Sequence, residues 1–120
     1  MTPGHTVTIH PADAHVEVHV DGEKVAESTR PLRLEETGLP DRWYLPREDV
    51  ELEKFRRTSF HTTCPFKGEA SYWSIDVDGT THDGIVWSYE TPIEAAEAIT
   101  GYLAFYQDRA TVTVDGEPLS

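Results

Sequence analysis

The tripeptide Val-Asp-Gly occurs three times, at Val20, Asp21 and Gly22, at Val77, Asp78 and Gly79, and at Val114, Asp115 and Gly116. Asp-Gly between alternating apolar residues marks a two-residue hairpin, because both central positions of a type I′ turn take positive φ. Three such turns in 120 residues leave room for little other than a β-rich architecture. The flanks agree. "HVEVHV" and "KVAEST" alternate around the first turn, "SYWSIDV" and "THDGIVWSY" flank the second, and "ATVTV" leads into the third. These segments share no longer period, so similar turns rather than an internal repeat explain the recurrence.

One stretch reads as a helix. In "ETPIEAAEAITGY", Thr91 can cap, Pro92 suits the first helical position and Glu94 completes a capping-box pattern. The pattern predicts a helix over residues 92–100, stopped by Gly101. "YLAFYQ" then reads as a strand, and "LPREDV" as a single helical turn starting at Pro46. "RPLRLEETGLPDRW" mixes a short strand with a Pro/Gly loop. The expectation is one domain, residues 1–120, mainly β (α+β), antiparallel, with one helix near the C-terminus.

Twenty-two acidic against ten basic side chains give a formal net charge of −12. That sign opposes the phosphate neutralisation behind nucleic-acid binding and disfavours an anionic membrane surface. No nucleic-acid or membrane partner is expected. The longest apolar stretch, "AAEAITGYLAFY", is too short and interrupted to span a bilayer. The first eighteen residues carry no basic region followed by an apolar run, so no secretory signal is expected. The single cysteine, Cys64, cannot form an internal disulfide, and a cytoplasmic location is the default.

Chemistry concentrates in "SFHTTCPFKGEASYWSI", residues 59–75. A reactive thiol needs a cation or an imidazole, and Cys64 has Lys67 and His61 within three residues. Residues at odd separation on a strand point to opposite faces, however, so His61 and Cys64 diverge unless Pro65 breaks the strand. The buried, structural cysteine is the leading reading, with a catalytic thiol as its rival. His61, Cys64, His82 and Asp83 are legitimate metal ligands, but they lack the paired short spacings of a zinc motif, and no metal or cofactor is expected. His5, His10, His15 and His19 read as solvent-facing strand or loop residues. Asp76 and Asp78 imitate a magnesium-binding Asp-x-Asp pair, yet Asp78 belongs to a hairpin turn that recurs without chemistry.

Lys67 lies between an aromatic and a glycine, in a turn shaped by Pro65 and Gly68 that could hold its ammonium at the lip of a cleft. In so acidic a chain an anionic ligand needs a local cation, and Lys67, Arg30 and Arg33 are the candidates. The alternative is a surface lysine paired with Glu69 or Asp83. Alternation puts Trp73 with Ile75 on one face and Tyr72 with Ser74 on the other. Ile85, Trp87 and Tyr89 should share a face on the next strand. Most of these aromatics must be core, but the polar edges of Tyr72, Trp73, Trp87 and Tyr89 also suit a pocket wall.

The order "WYLPREDV", "TTCPFKGEASYWSI", "IVWSYETPIEAAEAITGYLAFY" and "VTVDGE" resembles a bacterial family catalogued as domain of unknown function 427, over nearly the whole chain. The resemblance implies a small curved β-sheet domain of the β-tent-like group, whose other members often carry a zinc knuckle of paired cysteines. One cysteine rules that knuckle out. A nucleotidyltransferase label is sometimes attached to the family, but its glycine-serine and paired-aspartate signature is missing here. The resemblance also implies that Cys64 and Lys67 line a functional cleft.

Together these readings point to a small-molecule-binding domain, an enzyme or not. Lys67 with Arg30 or Arg33 would hold an anionic or carbonyl group, Tyr72, Trp73, Trp87 and Tyr89 would form the wall, and His61 or Asp83 would move protons, with Cys64 in the cleft. The alternative is a non-enzymatic protein-interaction or accessory module with an acidic surface. Homodimerisation through an open sheet edge stays open.

Overall fold

The three Asp-Gly turns form where the sequence puts them, with φ of +48° and +82° at Asp21 and Gly22, +49° and +81° at Asp78 and Gly79, and +51° and +83° at Asp115 and Gly116. A computed structural model describes residues 5–119. In chain order the strands are β1 (Val7–Pro11), β2 (Val16–Val20), β3 (Glu23–Ser28), β4 (Leu32–Glu36), β5 (Arg42–Tyr44), β6 (Phe55–Cys64), β7 (Gly68–Val77), β8 (Thr80–Pro92), β9 (Leu103–Phe105), β10 (Thr111–Val114) and β11 (Glu117–Pro118). They form three antiparallel sheets ordered β1-β4-β5, β11-β10-β2-β3 and β6-β7-β8-β9. The chain is mainly β, and among the described residues no helix is long and apolar enough to cross a membrane.

The β6-β7-β8-β9 sheet is the centre of the molecule, because both its faces are covered. Trp73, Ile75, Val77, Val86 and Phe105 pack with Val16, Val18, Val25 and Val112 of the β2 sheet. Ala70, Tyr72, Trp87, Tyr89 and Ala104 pack instead with Leu34 and Tyr44 of the β1-β4-β5 sheet and with Ile99. Trp73 and Tyr72 separate as alternation predicts. Ile85 does not join Trp87 and Tyr89, and packs in the first cluster. Trp73 pairs with Val86 but Ile75 pairs with His82, so β8 carries extra residues at 83–85, including Gly84 at φ +56°, and its alternation slips there.

The predicted helix is the main departure. Thr91 and Pro92 stay in β8, where they pair with Glu69 and Gly68, and the Ile93 N–H donates to the Lys67 carbonyl at 2.9 Å. Strand pairing thus takes the residues that would have capped and opened the helix. What remains, Glu94–Ile99, forms 3₁₀ turns without a side-chain cap and with a non-helical Ala96 at φ −112°, ψ 17°. Pro46 does open a short turn, Arg47–Asp49, also 3₁₀.

Candidate functional site

β6 is an edge strand, and its pairing with β7 shifts register between Arg57 and His61. That irregularity and the one at residues 83–85 of β8 frame a pocket of about 360 Å³, within the size range of small-molecule sites. Phe60, Tyr72 and Tyr106 supply its aromatic walls, and Thr58, Ser74, Asp83, Gly84 and Arg109 complete the lining. The rings are in contact: Phe60 lies 5.1 Å from Tyr72, and Tyr106 lies 4.6 Å from Trp87, which pairs directly opposite Tyr72. Phe60 is 59% exposed, so one wall is open to solvent.

The polar groups of the pocket are held in place. The Gly84 N–H donates to Ser74 Oγ at 2.8 Å, and Arg109 Nη2 donates to the Asp83 carbonyl at 2.7 Å while its guanidinium lies 5.8 Å from the Tyr106 ring centre. Tyr72 shares a 2.8 Å hydrogen bond with Thr62 Oγ1. Burial, reinforced by a hydrogen bond with Tyr72, pushes the Tyr106 hydroxyl up to about 12, so it stays protonated at neutral pH. The arrangement can stack a flat ring and offer donors to its polar edge.

The residues singled out from the sequence fall into separate places. Tyr72 and Asp83 line the pocket, and Trp87 backs its Tyr106 wall. Lys67 is not among the residues that line this pocket. It is buried, its ammonium 2.7 Å from Glu36 of β4, and His5 approaches the other Glu36 oxygen at 3.1 Å while stacking on Phe66. Cys64 is half-buried at the end of β6 against the cluster that holds Tyr44 and Tyr89. Arg30 pairs with Glu48 and Asp49, and Arg33 with Asp41.

Trp73 lies on the opposite sheet face from Trp87, between Arg57 at 5.0 Å and Arg47 at 5.4 Å. Both arginines hold Glu90, and Arg57 also donates to Ser71 Oγ, which lies 3.4 Å from His61 Nδ1. Arg57 first, and Arg47 after it, depress the Glu90 carboxyl to about 2. Its folded pKa is below the unfolded value, so its contribution is present above pH about 4.5 and disappears as pH falls towards 2. Urea midpoints of the wild type and Glu90→Gln should therefore converge as pH drops from 5 to 2. A gap between them that stayed constant with pH would remove this account of Glu90.

Among the described residues, His15, Glu17 and Glu27 are the one group whose ligand atoms lie close enough to share a metal, within 4.8 Å of one another. They are already engaged, His15 with Glu27 at 2.6 Å and Glu27 with Lys24.

A family model described as "Domain of unknown function (DUF427)" matches residues 8–116, from β1 through the last Asp-Gly turn. The chain belongs to the DUF427 family. No curated protein matches it. The DUF427 match spans both sheet faces and every pocket residue, and it identifies no chemistry. Sequence reasoning passed over Phe60, Tyr106 and Arg109 in this DUF427 domain. Tyr106 and Arg109 were visible only as an aromatic and a cation three apart at the end of "LAFYQDR", just beyond β9.

Proposed function

We propose that this DUF427 domain binds a small, planar molecule carrying an anionic or carbonyl group in the Phe60–Tyr72–Tyr106 pocket. The observation that supports it is one cavity of about 360 Å³ in which three aromatic rings, Phe60 and Tyr72 in contact with each other, meet a guanidinium, two hydroxyl side chains and a carboxylate. Rings of this kind bind flat ligands by stacking, and the polar groups at the rim fix orientation. Lys67, Arg30 and Arg33, the cations that the sequence suggests for the polar end, are each engaged by acids, so Arg109 takes that role. No reaction is assigned. The interaction-module alternative has less behind it: among the described residues the large exposed hydrophobic ones are Leu39, Phe60 and Ile93, on three different segments, and Phe60 already serves the pocket wall.

Titration of the ¹⁵N-labelled protein with a panel of bicyclic aromatic fragments is the test. Binders should shift the amides of Phe60, Tyr72, Gly84 and Tyr106 together, and Tyr106→Leu should weaken them about tenfold. Shifts confined to other residues would refute the assignment.

A further inference from the structure

The ten lysines and arginines of the chain are not used evenly. Eight hold a carboxylate: Lys24, Arg30, Arg33, Arg47, Lys54, Arg56, Arg57 and Lys67. Arg42 and Arg109 have no side-chain carboxylate partner among the described residues, although acids outnumber bases by 22 to 10. Both lie on aromatic rings instead, Arg42 5.4 Å from the centre of Trp87 and Arg109 5.8 Å from that of Tyr106. Those two rings contact each other, so the four side chains run as a ladder, Arg42, Trp87, Tyr106, Arg109, ending in the pocket wall. The cations left without an acid are thus the two next to the pocket, and Arg42 is near enough to favour ionisation of Tyr106.

Resting on the pocket reading above, we infer that the ligand is an aromatic monoanion, an aryl carboxylate, with its ring against Tyr106 and Phe60 and its carboxylate on Arg109. A guanidinium spends one donor on the Asp83 carbonyl and keeps others in a planar fork that suits a carboxylate. Single negative charge is the better match than a phosphate ester or polyphosphate. The pocket lining holds one guanidinium beside the Asp83 carboxylate, and the whole chain carries −12, a field that repels higher charge more strongly. The cavity takes one or two fused rings, which sets the ligand's size.

The probes are 2-naphthoate, its neutral isostere 2-naphthamide, and 2-naphthylmethylammonium, titrated calorimetrically and by amide shifts into the full chain at low salt. The carboxylate should bind about tenfold more tightly than the amide, with the ammonium weakest, and 0.5 M NaCl should erase most of that order. Arg109→Gln, a change at an exposed position, should bring carboxylate and amide affinities together, the carboxylate losing more than the amide. Equal affinity for carboxylate and amide in the wild type would overturn the charge selection and leave the pocket reading standing. A preference that survived Arg109→Gln unchanged would overturn the assignment to Arg109. If none of the three probes shifted pocket amides, both readings would fall together.

Discussion

Lys67→Met should cost about 3–5 kcal/mol of unfolding free energy, a large part of what holds a domain of this size together. Lys67 and Glu36 are both buried and lie 2.7 Å apart, one in the turn just before β7 and the other at the end of β4, so the pair ties the β6–β7 turn to another sheet. Removing the ammonium leaves the Glu36 carboxylate in the interior with His5 as its remaining side-chain partner among the described residues. A buried carboxylate that has lost its cation costs free energy. Removing both charges is a different experiment: Lys67→Met with Glu36→Leu should recover most of the loss, because well-packed apolar groups replace buried ion pairs at little net cost. Urea denaturation of the two single variants and the double closes the cycle. A single-variant loss below about 1 kcal/mol would mean that the pair behaves like a surface salt bridge.

Trp87→Ala is the second large change, expected at about 3–5 kcal/mol. The indole is buried in the cluster between the central sheet and β4-β5, edge-on to Tyr44 and against Tyr106, and its Nε1 donates to the Tyr44 hydroxyl at 3.1 Å. Trp87→Phe separates volume from polarity. It keeps a ring in place but takes the donor from a buried hydroxyl whose ionisation burial already disfavours, and about 1–3 kcal/mol should follow from that alone. Both variants loosen the support behind Tyr106, so fragment affinity should drop along with the thermal midpoint. A Trp87→Ala protein as stable as the wild type would show that the cluster repacks around the loss.

The features legible in the sequence were local ones. Asp21, Asp78 and Asp115 specify their hairpins because a type I′ turn is decided by the residues in it, and alternation separated Tyr72 from Trp73 because a pleated strand leaves no other choice. Thr91 and Pro92 misled for the complementary reason. Their local preference for opening a helix is real, but Gly68 and Glu69, more than twenty residues away, recruit them into a strand. Gly68 makes that approach feasible: its φ is +118°, and a Cβ there would sit 3.1 Å from the Pro92 Cα.

The site was only partly legible. Tyr72 and Asp83 stood out by residue type and do line the pocket. Whether a given arginine is free depends on acids brought up by other strands, such as Asp41 to Arg33 or Glu90 to Arg47 and Arg57, and spacing along the chain carries none of that. Lys67 misled in the same way, since Glu36 reaches it from across the fold.

The register break in β6 reaches beyond the pocket it helps to shape. β6 is ten residues long and lies at the edge of its sheet, the kind of unpaired ladder on which chains stick to one another. The shift between Arg57 and His61 interrupts that ladder midway, and exposed Arg56 and Arg57 stand just before it. An incoming strand would have to match the bulge and tolerate the charges. The irregularity beside Thr58 and Phe60 therefore also guards the edge against aggregation, and straightening β6 would endanger solubility as well as the binding wall.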